Sequence, residues 1–420
     1  MRHEQREYER REILRVRREV RVQFLRIPVL LQVSIAHFVS HVHIMAVPAL
    51  LPFLPEMMGV GFVELGLAMT LFNMVSMLMQ TPMGFATDRF GARTVLLAGL
   101  AVGSASLLLF AAYPAYLCLL FTYALAGAAN GVYHPAEYSI LSKAIPEVKM
   151  GRAFSIHSFA GFLGGAVTPG VLVAVAVFYG VRSAVAVTGF LGVGTFLLLL
   201  CSRLTPAEGG KRADPARRSA GGAWPVHVFT LPVIMMTLIF VLLNLSTGGM
   251  EKFSVSALLQ GYGVDLPSAN AAVTAYLFCS ALGVLGGGFL ADRTKRHGFV
   301  AAGAFAAAAL LAAVVAVYSL PPAPLVLIFG MIGVLTGIIV PSRDMLVRAV
   351  ATPGSEGKVF GVVFTGFNIG GALGPLLFGY LLDSAMAWAV FGFSVLFMTL
   401  TALATWMQEV KISRSGAQKA

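Results

Sequence analysis

Charge is scarce in this chain. Only 12% of its 420 residues are Asp, Glu, Lys or Arg and 58% are hydrophobic, a balance that excludes an ordinary soluble domain. Cysteine is scarcer still. Cys118, Cys201 and Cys279 lie in or beside apolar stretches without paired spacing, which argues against a disulfide framework or a metal knuckle. No glycine-rich phosphate loop follows a strand pattern, so no nucleotide is implied, and no cofactor is expected. What fills the chain is apolar sequence in blocks of about 20 residues, the length that a helix needs to cross a hydrocarbon core of ~30 Å.

Twelve such blocks can be placed, the first over 29–54 and the seventh over 229–250, and they predict an all-α membrane protein of twelve transmembrane helices. Residues 1–28 form a basic N-terminal segment, 29–203 a first group of six spans, 204–228 a linker, 229–408 a second group of six and 409–420 a tail. The linker is polar and rich in Gly, Pro and Ala, a composition that buries no core and predicts flexibility. The formal net charge is +11, and the basic residues sit in alternate connections. Placing the N-terminus in the cytoplasm leaves only Arg182 and Lys252 for the opposite side, so both termini and the linker are expected there, in a plasma (inner) membrane. The opening segment mixes Arg with five Glu and lacks an apolar core, which argues against a secretory signal or a transit peptide. It reads as an anchor attracted to anionic headgroups, and without interleaved aromatics it gives no support to a nucleic-acid partner.

The two groups of spans repeat each other. Gly84-Phe85-Ala86-Thr87-Asp88-Arg89 recurs 204 residues later as Gly288-Phe289-Leu290-Ala291-Asp292-Arg293. Gly151, Phe154, Gly164, Gly165 and Pro169 recur 206 residues later as Gly357, Phe360, Gly370, Gly371 and Pro375, and Pro135 and Pro341 share that offset. Two ordered blocks at nearly one offset predict two parallel six-helix bundles related by an axis along the membrane normal, the architecture of a transporter that rocks around a midplane site.

On these residues the chain resembles the major facilitator superfamily along its whole length. The most specific mark is Gly84-x3-Asp88-Arg89-Phe90-Gly91-x-Arg93 between spans two and three, with a degenerate copy at Gly288-x3-Asp292-Arg293. The resemblance implies a gating role for Asp88, Arg89, Arg93, Asp292 and Arg293, with ion pairs made across the bundles in one state and broken in the other. They could also be topogenic charges alone. Within that superfamily the chain looks most like the fosmidomycin resistance branch of efflux proteins, on Ser34-Ile35-Ala36-His37, Gln80-x-Pro82-x-Gly84 and Gly131-Val132-Tyr133-His134-Pro135. It departs from that branch where a carboxylate four residues after the first-span histidine is replaced by His41, and the acid after His134-Pro135 is displaced to Glu137.

Ionisable groups in hydrocarbon are costly, and each marks a candidate site. His37 and His41 share a helical face one turn apart, whereas His43 points elsewhere. The pair is either a cavity-facing site with a proton relay or a structural hydrogen-bonding set, and a metal site there would need an acid and a third ligand that the sequence does not identify. In span four Asn130, His134 and Glu137 form one stripe, beside Tyr133 and a bend at Pro135. Glu137 is the leading carboxylate for proton coupling, assisted by His41, with a static pair to Arg343, Arg348 or Lys143 as the alternative. In span ten Arg343 suits recognition of a carboxylate or phosphonate, unless Asp344 neutralises it. His157 and Asn368, with Asn73 and Gln80, complete the candidate lining, though single polar groups of this kind often serve helix packing. The combined expectation is a secondary active transporter, not an enzyme, which moves a small organic anion by proton-coupled efflux and works as a monomer. Uptake of a small carboxylate is the rival reading, and a channel or an intramembrane enzyme is more remote.

Overall fold

The computed structural model of the chain describes residues 27–202, 230–294, 296–350 and 356–417. The basic segment up to residue 26 and the 204–228 linker lie outside the described residues, as do the side chains of Asp292 and Arg348.

Among the described residues, twelve helices are long and apolar enough to cross a membrane. In the first half these are α1 Val29–Leu50, α2 Phe62–Phe90, α3 Ala92–Ala112, α4 Tyr116–Ala144, α5 Glu147–Tyr179 and α6 Val181–Cys201. In the second half they are α7 Leu231–Tyr262, α8 Leu266–Arg293, α9 His297–Val317, α10 Pro322–Val350, α11 Glu356–Asp383 and α12 Ala387–Ala417. A helix satisfies its backbone internally, which hydrocarbon demands. Pro48, Pro82, Pro135, Pro169, Pro341 and Pro375 are nevertheless accommodated inside these helices, as packing between helices in a membrane allows.

The packing repeats along with the sequence. α1 lies on α5, α2 on α4, and α3 on both α4 and α6. The same pairings recur six helices on, as α7 on α11, α8 on α10, and α9 on both α10 and α12. Two further pairs, α2 with α11 and α5 with α8, join the halves, and each is the other's counterpart under the repeat. A pseudo-twofold arrangement of two six-helix bundles follows.

The first helix of each half is also interrupted at a matching place. α1 ends at Leu50, and a short helix, Leu54–Met58, then stops at Gly59 with φ of 64°. α7 passes through a π-helical turn, Gly249–Phe253, before its last turns stop at Gly263 with φ of 63°. The two glycines are 204 positions apart and occupy the left-handed region that a Cβ disfavours. Span seven therefore continues well past the expected limit at 250. Lys252, expected beyond its outer end, is inside α7 because the charged pair Glu251-Lys252 interrupts the hydropathy but not the helix.

Glycines set how closely the helices approach. A Cβ at Gly333 on α10 would lie 2.1 Å from the Tyr276 carbonyl oxygen of α8, whereas one at Gly303 on α9 would meet nothing within 4 Å. Gly333→Ala is expected to destabilise the protein by about 1–3 kcal/mol, because the obstructing atom is backbone and cannot swing away. Gly303→Ala should leave stability unchanged, and thermal unfolding in detergent distinguishes the two.

Candidate functional site

The bundle of the first half brings one carboxylate and four imidazoles together. α1 contributes His37 and His41 from one face, α4 contributes His134 and Glu137, and α5 contributes His157. Glu137 is fully buried, and its Oε2 lies 2.9 Å from His37 Nδ1 and 3.3 Å from His157 Nε2. Whether each contact is a hydrogen bond or a charged pair depends on which ring nitrogens hold a proton. The rings of His37 and His157 stack with centroids 4.0 Å apart, while His41 and His134 stand 4.8 and 5.3 Å from His37. Gly161 makes the approach possible, since a Cβ there would lie 2.5 Å from His37 and 2.8 Å from His41.

His37, Glu137 and His157 are the described residues that come nearest to a metal-ligand set, and they supply the acid and third ligand missing from the sequence pattern. Their donor atoms spread over as much as 4.8 Å. Bonds of ~2.0–2.1 Å to one ion keep two donors within ~4.2 Å of each other, so the set is too wide for a metal as it stands. A buried acid between two imidazoles is instead an arrangement that can gain, hold and pass a proton.

The second half presents a cation backed by aromatic rings. The guanidinium of Arg343 on α10 lies over Phe240 of α7 at 5.3 Å and over Phe364 and Phe367 of α11 at 6.0 and 5.8 Å. Its Nε donates to Asp344 Oδ1 at 3.2 Å. The rings pack around a planar fork, the form in which arginine meets carboxylate or phosphonate oxygens. The two clusters are linked by position. Tyr138 of α4 is 42% exposed, packs 5.6 Å from the ring of His134 and 5.9 Å from that of His157, and is within electrostatic reach of Asp344.

Other candidate residues lie elsewhere. Tyr133 is buried in the core of the first half, beside a small cavity that Ser40, His43 and Asn130 also line. His43 meets the Thr188 carbonyl oxygen at 3.1 Å, Asn130 donates to Ser76 Oγ at 2.7 Å, and Asn368 is half-buried on α11. Asp88 and Arg89 are exposed, with Arg89 over the Phe90 ring, and Arg293 lies over Phe289. Arg93 donates to the carbonyls of Leu199 and Ser202 at 2.7 Å each, which caps the C-terminus of α6 inside its own half.

Two groups went unselected in the sequence. Glu251 and Lys252 sit on the π-turn of α7, which touches α1, α8, α11 and α12, and Glu251 is within electrostatic reach of both Arg343 and Tyr276. Adjacent charges in a span were the available signal. Asp383 joins the halves at one end of the seam, and only its place at a helix end pointed to it.

Residues 33–259 and 241–419 match the model of the Major Facilitator Superfamily. The chain is 27% identical to the MFS-type transporter YfnC of Bacillus subtilis, over 85% of this chain and 87% of that protein. It is 23% identical to the fosmidomycin resistance protein of Escherichia coli, over 84% and 85%. It is 26% identical to the probable sulfoacetate transporter SauU of Cupriavidus necator, over 83% and 85%. Among solved structures, a bacterial homolog of the human lysosomal transporter Spinster in an inward-facing, unoccupied conformation superposes with a TM-score of 0.74 at 14% identity, covering 92% of this chain and 97% of that one.

Proposed function

The chain belongs to the Major Facilitator Superfamily of transporters, and from that premise we propose that it exports a small organic anion in exchange for protons. The observation that carries this reading is the buried Glu137 carboxylate shared between His37 and His157, a proton site in one half that answers an arginine in the other. Rocking the two halves about the seam exposes both groups first to one compartment and then to the other. The solute's anionic group docks on Arg343, with His134, His157 and Asn368 on its path. Protons load Glu137 from the acidic side, with His41 as relay. Export is favoured by the likeness to a fosmidomycin resistance protein, and a small organic acid as the solute by the likeness to a probable sulfoacetate transporter.

The orientation follows from the basic residues. Lys and Arg crowd the connections at the end of the bundle where α2 meets α3 and α8 meets α9, which is assigned to the cytoplasm of a plasma membrane. The cross-seam hydrogen bonds of α2 fall between Phe62 and Asn73, at the opposite end, which supports reading this arrangement as closed on the outer side. Asp88, Arg89 and Arg93, with Asp292 and Arg293, are assigned to closing the cytoplasmic end in the other state.

Purified protein in sealed vesicles tests the reading. An imposed pH gradient should drive a radiolabelled phosphonate or sulfonate toward the acidic side, and collapse of the gradient by a protonophore should stop it. Solute movement that ignores the gradient would overturn proton coupling.

A further inference from the structure

The halves are joined at the closed end of the seam by a helix cap that one half lends to the other. α2 begins at Phe62 behind Gly61, an N-cap residue with no side chain to accept from the first amides. Glu64 reaches back to the Gly61 amide at 3.0 Å, which leaves the next two amides to be satisfied. Asp383, the last residue of α11 in the other half, accepts from both. Phe62 N donates to its Oδ1 and Val63 N to its Oδ2, each at 2.7 Å. Carboxylates at helix N-termini make charge-assisted bonds that the macrodipole also favours.

The internal repeat shows that this is a substitution of one kind of cap for another. The residue 204 positions after Gly61 is Asp265, which caps its own helix by accepting from Ser268 N at 3.2 Å. The first half lacks the side chain that the second half uses, and Asp383 supplies it across the seam. The glycine also makes the room, since a Cβ at position 61 would lie 2.8 Å from Asp383 Oδ2. Behind the cap, Thr70 donates to the Ala372 carbonyl at 2.6 Å and Asn73 to that of Gly371 at 2.9 Å, so α2 and α11 are tied together from this end inward.

We propose that the Asp383 carboxylate is the latch of this end of the seam, closing it when the two amides are bound and letting α2 and α11 part when they are released to water. A cap built into α2 itself would hold in every state, whereas a cap carried by the other half is made only when the end is shut. The proposal rests on rocking of the two halves, and on neither the solute nor the proton.

Spin labels at Ser183, in the first turn of α6, and at Ser319, in the connection between α9 and α10, sit at this end of opposite halves and report the opening by double electron-electron resonance, with Cys118, Cys201 and Cys279 replaced. Asp383→Ala is expected to raise the ratio of open to closed populations about tenfold or more, the equivalent of losing one net charged hydrogen bond. Asp383→Asn, which keeps one acceptor, should move it less. Because Asp383→Ala could act merely by fraying α2, the double variant Gly61→Ser with Asp383→Ala gives the helix a cap of its own. A latch requires the double variant to recover thermal stability and yet stay open. Recovery of the closed distance in the double variant, or an unchanged distribution in Asp383→Ala, overturns the proposal. Failure of the wild-type protein to move solute would leave this measurement standing, so the two readings fail separately.

Discussion

Glu137→Gln is expected to abolish solute movement driven by a pH gradient while leaving solute exchange at equal pH intact. Glutamine keeps the shape of the side chain and its hydrogen-bonding capacity beside His37 and His157, but it cannot change charge. It imitates the protonated carboxyl permanently, so the conformations that require a neutral group here remain accessible and solute-for-solute exchange continues. What is lost is the difference in proton occupancy between the two faces, without which a gradient has nothing to act on. The four surrounding imidazoles sharpen the test. If one of them were the sole coupling group, the carboxylate would serve only to orient it, and Glu137→Gln would slow driven transport without uncoupling it. Counterflow and gradient-driven uptake, measured in one vesicle preparation, separate these outcomes. Persisting driven transport would remove Glu137 from the proton path.

The sequence showed the spans because lipid imposes one requirement, a run of apolar residues of fixed length, and the repeat because Gly84–Arg89 and Gly288–Arg293 recur in order. It could not show where α7 ends. The π-turn at Gly249–Phe253 keeps a charged pair within a helix, and a hydropathy window reads such a pair as an exit from the membrane. The histidine face of α1 was legible from the spacing of His37 and His41, and Glu137 from being an acid in a span. That His157 meets the same carboxylate oxygen depends on α5 crossing α1 at Gly161, a tertiary fact with no local signature. The loop element between α2 and α3 suggested ties across the seam, yet Arg93 satisfies carbonyls at the end of α6. Motif position specifies neighbourhood, whereas the partner of a long flexible side chain is settled by what the folded neighbourhood offers.

Arg343→Lys is expected to weaken solute binding by about 10–100-fold, or ~1.5–3 kcal/mol, the range of a hydrogen bond to a charged group, without uncoupling what transport remains. The substitution keeps the positive charge and so removes only what is particular to arginine. A planar fork can present two parallel N–H donors to a carboxylate or phosphonate, and three phenyl rings pack around it, with Phe240 at 5.3 Å the nearest. An ammonium on a flexible stem offers neither, and it lets the rings relax around a thinner side chain. Asp344→Asn provides the opposite sign. The carboxylate at 3.2 Å competes with an incoming anion for the Arg343 Nε donor, so neutralising it should tighten binding of a phosphonate several-fold. Titration calorimetry on the two variants with a phosphonate and its uncharged ester tests both arms. The ester should bind weakly and respond to neither change. If Arg343→Lys left phosphonate affinity unaltered, the ring-backed arginine would be a structural tie between α7, α10 and α11, and anion recognition would fall to Lys252 or to the histidines of the other half. If both variants lost affinity together, the Arg343–Asp344 pair would act as one rigid unit, and the solute would be recognised by its shape against the rings.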